Sequence, residues 1–266
     1  MEDDGARQSG DPVLLQSTVD RVRIITLNRP AARNALSSPL NAALFDALVS
    51  ADEEDDVGVI VLTGTDPAFC AGLDLKEAAR DPKAFFRSFA VNDSINQVAK
   101  VKKPVLGAIN GATFTGGLEI ALGCDFLIAS ERAVFADTHG RVGVLPGGGM
   151  TARLPGAVGL RQARLMSMTG DAIDAVRAER LGLVAEVVPH GLLLERALTL
   201  ARTMTEIAPE TMVRLKRMYS EGSDTTVGEA LALERSISRD APADLDQLGA
   251  RRDAVMQRNR SRLRDQ

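Results

Sequence analysis

Residues 115–125 read TGGLEIALGCD, and Glu119 is the only charged residue in this stretch before the closing Asp125. The other side chains are mostly small or apolar, so a helix formed by these residues would be buried over most of its surface. A buried carboxylate loses its hydration, which is unfavourable unless the group is paired, protonated or used in chemistry. Glu119 is therefore a candidate functional residue.

The segments on both sides of this stretch alternate between strands and helices. Residues 12–28 predict two strands around a turn at Asp20–Arg21, and residues 56–64, 103–110 and 124–130 predict buried strands. Apolar residues at helical spacing predict helices over 37–55, over 81–101 as one helix, and over 116–123. This alternation predicts an α/β fold with a mostly parallel sheet, and the pattern becomes mainly helical from about residue 167.

Composition excludes several classes of protein. The 266 residues are 45% hydrophobic, which is enough for one sizeable core, and residues 1–11 predict a disordered tail. No apolar run approaches the ~18 residues of a membrane span and no signal peptide is recognisable, so we expect a cytoplasmic protein without a membrane partner. Cys70 and Cys124 have no metal-ligand spacing, and no metal site is predicted.

The charge pattern argues against a nucleic-acid partner. The formal net charge is −4, there is no Trp and only one Tyr, so base-stacking platforms are not expected. The run RRDAVMQRNRSRLRD near the C-terminus has two interpretations: a solvated helix face, or a cationic patch for phosphates or for another subunit. Motifs for dinucleotides, nucleoside triphosphates and serine hydrolases are absent from the sequence.

Two glycine-containing junctions stand where a predicted strand passes into a helix. They are TGTDPAFCAGLDLKE, residues 63–77, and INGATFTGGLE, residues 109–119. Each presents backbone N–H groups at a helix start, where an anion is stabilised. Glycines at either junction could merely end a strand, but two such junctions, the second followed by Glu119, favour an anion site beside a base.

These motifs closely resemble the enoyl-CoA hydratase/isomerase (crotonase) superfamily. The resemblance rests on AFCAGLDLKE, NGATFTGGLEIALGCDFLIAS, ITLNRPAARNAL and GVLPGGGMTARLPGAVG, in family order. It implies a spiral of β-β-α turns over 12–200 and a helical trimerisation region over 201–266, in a homotrimer or dimer of trimers. It also implies an acyl-CoA substrate, no further cofactor, and an oxyanion hole formed by the backbone N–H groups of Leu73 and Gly116.

Glu119 matches the family's first catalytic glutamate, which activates water in hydratases. The position of the second glutamate holds His139, which either protonates C2 of the substrate or only shapes the pocket as a loop residue. The resemblance places several residues near CoA or substrate: Arg33, Ala68, Ala71, Gly72 and Asp74. It also suggests Lys216 near CoA, and Phe85, Phe86 and Phe89 as either an apolar wall for the acyl group or a helix core face.

Three functions are open at this point. The first is an enoyl-CoA hydratase that uses Glu119 and His139. The second is an isomerase or another enolate-forming enzyme in which Glu119 alone moves the proton. The third is a catalytically weak acyl-CoA binding protein, because the second glutamate is replaced by His139.

Overall fold

The computed structural model of the protein describes residues 11–223 and 225–240. The predicted tail, except Asp11, and the C-terminal arginine run lie outside these residues. The chain divides into two compact units, residues 1–216 and residues 217–266. The predicted boundary between core and C-terminal region, after residue 200, falls inside a helix of the first unit. The assignment of residues 201–266 to oligomerisation stays a prediction.

Within residues 11–223 and 225–240, ten strands form two sheets. They are β1 (Leu14–Val19), β2 (Val22–Leu27), β3 (Val59–Gly64), β4 (Ala68–Cys70), β5 (Val105–Ile109), β6 (Ala112–Phe114), β7 (Phe126–Ser130), β8 (Val134–Ala136), β9 (Ile173–Asp174) and β10 (Glu186–Val188). The first sheet has the order β1-β2-β3-β5-β7-β10 and is parallel except for the β1–β2 hairpin. The second has the order β4-β6-β8-β9. The expected mostly parallel α/β fold is confirmed.

In the described part of the chain, twelve α-helices accompany the strands. They are α1 (Ser38–Glu53), α2 (Leu75–Arg80), α3 (Pro82–Val91), α4 (Ser94–Lys100), α5 (Gly116–Gly123), α6 (His139–Val142), α7 (Met150–Val158), α8 (Leu160–Thr169), α9 (Ala175–Leu181), α10 (Leu193–Thr205), α11 (Pro209–Gly222) and α12 (Val227–Arg239). Helix α12 belongs to the second unit. Within the described residues, no helix combines the length and apolarity needed to cross a membrane.

The chain repeats one pattern three times: a strand of the first sheet, a strand of the second sheet, then a helix. The repeats are β3-β4-α2, β5-β6-α5 and β7-β8-α6. Because β3, β5 and β7 are parallel neighbours, and β4, β6 and β8 likewise, the helix starts that follow them lie side by side. The spiral of β-β-α turns thus gathers three separate loops at one edge.

Successive side chains along each strand of the first sheet point to opposite faces, so the sheet separates two hydrophobic clusters. In β3, Ile60 and Leu62 face the larger cluster with α1 and α5, whereas Val59 and Val61 face a smaller cluster. Three residues of α10 close that second face: Leu193, Ala197 and Ala201. Helix α5 is buried almost all round, as its composition predicts.

The single helix predicted over residues 81–101 is wrong, because the structure has α3 and α4 with a break at Asn92–Asp93. The Asp93 carboxylate accepts from the backbone N–H of Asn96 and so begins a new helix. Asn41 of α1 donates to the carbonyls of Asn92 at 2.7 Å and Ser88 at 3.3 Å, which satisfies the end of α3. A capping carboxylate and a distant amide therefore override continuous helical periodicity.

We expect Asn41→Ala to destabilise the fold by about 1–3 kcal/mol, because the buried Ser94 hydroxyl loses its acceptor and the partly buried carbonyls of Ser88 and Asn92 each lose one of two donors. Asn41 is fully buried and also accepts from Ser94 Oγ at 2.6 Å. Urea unfolding measures the change. Asp46→Ala, on an exposed position of the same helix, is the matched control and should leave the midpoint unchanged. Equal midpoints for the two variants would contradict the role given to Asn41.

Candidate active site

The loops after β4 and β6 pack against each other at Gly72 and Thr115. Gly72 has φ +95°, and a Cβ atom added there would lie 1.9 Å from Thr115 Oγ1, so only glycine fits. Thr115 itself has φ 46° and ψ −116°, an unusual backbone conformation for a β-branched residue. A Cβ atom added at Gly116 would lie 3.7 Å from Gly72 Cα. The two predicted donor loops are therefore in direct contact.

Leu73 and Gly116 carry unused backbone N–H groups. The backbone of Leu36 is hydrogen-bonded to both sequence neighbours of Leu73. The Leu36 N–H donates to Gly72 O at 2.8 Å, and the Leu36 carbonyl accepts from Asp74 N at 3.0 Å. Gly116 is the first residue of α5, where no intrahelical acceptor exists. Within residues 11–223 and 225–240, neither N–H has a hydrogen-bond acceptor. The pair could hold an oxyanion, and this role stays a prediction.

Glu119 lies in the first turn of α5 and is 2% exposed. One carboxylate oxygen, Oε1, accepts from Gly148 N at 2.8 Å and Met150 N at 3.2 Å. Met150 is the first residue of α7, so the carboxylate also meets the positive end of that helix. These bonds fix Oε1 and leave Oε2 available for chemistry.

His139 begins α6 and is 6% exposed. Its Nε2 lies 3.8 Å from Glu119 Oε2, which is too long for a direct hydrogen bond but short enough for one water to contact both atoms. Its Nδ1 lies 2.6 Å from Asp137 Oδ1. The structure thus brings together the two predicted catalytic side chains and adds a carboxylate behind the histidine.

The Asp137 side chain is 1% exposed. Burial alone would raise the pKa of its carboxyl, but hydrogen bonds from the His139 ring and the Ser167 hydroxyl outweigh burial and hold the pKa below its ordinary value. The carboxylate therefore stays charged at neutral pH beside the imidazole.

A cleft of about 910 Å³ lies beside this site. Four cationic side chains line it, against two carboxylates: Arg29, Arg33, Lys76 and Arg80, against Asp74 and Glu77. Arg29 is held by Asp74 at 2.9 Å and by the carbonyl of Ala35. Burial would raise the pKa of Asp74. The hydrogen bonds from Arg29 and from the backbone N–H groups of Glu77 and Lys76 nevertheless hold that pKa below its usual value. The cleft has a net positive lining suited to phosphates.

The other predicted residues have different positions. Arg33, Leu73 and Asp74 line the cleft. The buried Ala68 and Gly72 and the half-buried Ala71 shape the loop behind it. Leu73 lines the cleft, and the preceding residue, Gly72, packs beside Gly116. The cleft therefore adjoins the pair of N–H groups.

Lys216 and the phenylalanines are largely engaged within the protein. Lys216 Nζ pairs with Asp125 at 2.9 Å and with the Lys103 carbonyl at 3.0 Å, and its side chain is only 8% exposed. Phe85 is a core residue, whereas Phe86 is half exposed. The roles of these residues near CoA and the acyl group stay predictions.

A second histidine forms a Ser–His–Asp contact that is structural. His190 Nδ1 lies 2.9 Å from Ser130 Oγ, and Nε2 lies 2.9 Å from Asp66 Oδ2. Ser130 is fully buried and its Oγ already accepts from Arg132 N, so it is not accessible to a substrate. The cluster connects the end of β7 to the segments that carry Asp66 and His190, and it gives no support to a serine hydrolase.

Two features of the site were not predicted from the sequence. They are the backbone N–H groups that donate to Glu119, and the orientation of the Asp137 carboxylate toward His139. The only signal for the donors was the glycine run in GVLPGGG, residues 143–149, because a backbone N–H has no residue signature. Asp137 was close to His139 in sequence, but its contact with Nδ1 depends on the fold of the loop before α6.

The fold and site define a protein that can hold a thioester enolate beside a buried base. The family model described as enoyl-CoA hydratase/isomerase matches residues 18–252, and the chain belongs to this family, within the crotonase superfamily. A probable enoyl-CoA hydratase of Mycobacterium bovis is 38% identical over 85% of this chain and 88% of its own length. A 2,3-dehydroadipyl-CoA hydratase of Escherichia coli is 37% identical over 84% of this chain and 88% of its own.

Solved structures agree with the fold. An enoyl-CoA hydratase from Bacillus anthracis is 32% identical, with a TM-score of 0.85 over 92% of this chain and 96% of that chain. An enoyl-CoA hydratase from Mycobacterium paratuberculosis is 47% identical, with a TM-score of 0.72 over 86% of this chain and 96% of that chain.

Proposed function

We propose that the protein is an enoyl-CoA hydratase that adds water across the C2–C3 double bond of a 2-enoyl-CoA thioester. The observation that carries the proposal is the 3.8 Å separation of Glu119 Oε2 and His139 Nε2, both buried near two unused N–H groups. Hydration needs a base for the attacking water and an acid for C2, and two acid–base groups this close together can supply both. The names of the relatives support the same reaction.

The proposed reaction uses one group for each proton. Glu119 takes a proton from water as the water oxygen bonds to C3, and the π electrons move toward the thioester oxygen. Leu73 and Gly116 N–H groups stabilise that oxyanion; one such donor contributes roughly 3 kcal/mol in comparable sites. His139 gives the Nε2 proton to C2, and the proton on Glu119 then returns to Nε2 through water. The sum is addition of one water.

The cationic cleft supports CoA as the carrier of the acyl group. Arg33 lines it, and its guanidinium has no acceptor in the described part of the chain, whereas Arg29 is held by Asp74. A free guanidinium is well suited to phosphate. The predicted trimer or dimer of trimers and the cytoplasmic location rest on the resemblance and on composition, and both remain proposals.

We expect Arg33→Ala to raise KM for an enoyl-CoA with little change in kcat, because a phosphate contact of this kind binds ground state and transition state equally. A loss of about 1 kcal/mol corresponds to roughly fivefold in KM. Steady-state kinetics at two salt concentrations measure it, and the effect should shrink at high salt. Arg164→Ala, on the exposed surface of α8, is the control. A lowered kcat at unchanged KM would contradict a CoA contact.

The proposed function is tested by the loss of conjugated-thioester absorbance when purified protein meets a short and a medium 2-enoyl-CoA. Turnover of either supports hydration, and mass spectrometry of the product should show the gain of one water. Binding without loss of absorbance would overturn the proposal and favour isomerisation or acyl-CoA binding. A 3-enoyl-CoA that gains the absorbance would identify the isomerase.

A further inference from the structure

The Asp137 carboxylate holds one side of the His139 ring. Oδ1 lies 2.6 Å from Nδ1 and 3.3 Å from the backbone N of His139. Both residues are buried, so water does not compete for this contact. An ionised carboxylate can only accept hydrogen bonds, and therefore Nδ1 must carry a proton.

The other ring nitrogen faces the reaction site. Nε2 lies 3.8 Å from Glu119 Oε2. The cation nearest in sequence, Arg141, bonds instead to the Thr169 carbonyl and to Asp171, both away from the ring. The charged groups in contact range of the His139 ring, within the described residues, are thus Asp137 and Glu119.

We propose that Asp137 is a positioning residue that keeps a proton on Nδ1 of His139, so that Nε2 is the nitrogen that exchanges protons with the site. The tautomer follows from the Asp137 contact alone, whereas its value for catalysis rests on the proposed hydratase function.

This arrangement gives each ring nitrogen of His139 one fixed role. With Nδ1–H bonded to Asp137 in both protonation states, Nε2 is a donor toward C2 when the ring is charged and an acceptor when it is neutral. In the neutral state it accepts the proton that Glu119 took from water. If the ring instead carried its neutral proton on Nε2, it could not take that proton back at the nitrogen facing Glu119.

The tautomer can be measured without any substrate. The chain contains only two histidines, so protein labelled with 15N-histidine gives two sets of ring signals. With the rings neutral, we expect His139 to show a protonated Nδ1 and an unprotonated Nε2 in the wild type. In Asp137→Ala the Nε2–H tautomer should appear. A wild-type Nε2–H tautomer, or an unchanged Nδ1–H tautomer in the variant, would overturn the inference.

Asp66→Asn is the matched control, because it alters the carboxylate beside the other histidine, His190. It should move the His190 signals and leave those of His139 and the value of kcat unchanged. Preserved circular dichroism and His190 signals in Asp137→Ala show that the variant is folded.

Kinetics test the consequence for catalysis. An oriented imidazole contributes roughly 10²–10⁴-fold, and loss of part of its orientation should lower kcat of Asp137→Ala at least about tenfold. KM should change little, because Asp137 contacts His139 and lies behind it. An unchanged kcat together with the expected tautomer shift would refute the positioning role. Absence of wild-type hydration would instead refute the proposed function and leave the tautomer to be decided by the spectra.

Discussion

Glu119→Gln should lower kcat for 2-enoyl-CoA hydration by roughly 10²–10⁴-fold. The glutamine has the same shape, and its carbonyl oxygen can still accept from Gly148 N and Met150 N as Oε1 does now. Its amide nitrogen takes the position of Oε2, where it cannot accept a proton from water. The change therefore removes the base and keeps the structure around it. The measurement is the initial rate of loss of the thioester absorbance.

Measurements of ligand binding and of thermal stability distinguish loss of the catalytic base from disruption of the whole site. Calorimetric binding of a saturated acyl-CoA and the thermal unfolding midpoint should both stay close to wild type. His139→Ala is expected to lower kcat as well. If Glu119→Gln turned over substrate at the wild-type rate, the base would have to be another group and the proposed reaction would be wrong.

Gly148→Ala should lower kcat by roughly 10²-fold, since a misplacement of about 1 Å can have that effect. A Cβ atom at Gly148 would lie 2.7 Å from Glu119 Oε2 and 2.4 Å from Ile95 Cγ2. These contacts are shorter than real Cβ contacts, so both the Glu119 carboxylate and the Ile95 side chain must shift from their present positions. Steady-state kinetics provide the measurement, and KM should change less than kcat.

The neighbouring Gly147 offers a matched control. A Cβ atom added there has nothing within 4 Å, so Gly147→Ala adds the same methyl group to the same loop without touching the carboxylate. We expect near wild-type turnover for Gly147→Ala. Equal losses in the two variants would mean that loop flexibility, and not the position of Glu119, controls the rate.

Long, regular elements were predictable from sequence because their periodicity is local. The hairpin of β1 and β2, the buried β3 and the helix α1 all lie where the pattern places them. The three-residue strands β4, β6 and β8 are too short to show a period of two, so the second sheet was not predicted. The break between α3 and α4 depends on Asn41, which is far away in the chain.

In the candidate site, likewise, some residues were predictable from the sequence and others of its contacts were not. Glu119 was visible because a carboxylate in an apolar helix is unusual, and Leu73, Gly116 and His139 were placed by resemblance. The bonds that orient Glu119 come from Gly148 N and Met150 N, which lie 29 and 31 residues away, so no local pattern predicts them. Asp137 is only two residues from His139, and its contact with Nδ1 depends on the fold of the loop before α6.

The hydrogen bonds to Glu119 Oε1 span 29 and 31 residues of sequence. Contacts between distant segments are made late in folding, because the entropy of closing the intervening chain must be overcome first. A partly folded chain that has α5 but not the start of α7 would have the glutamate without its orientation. Recovery of activity during refolding would therefore report the docking of the start of α7 against α5, and not the formation of secondary structure alone.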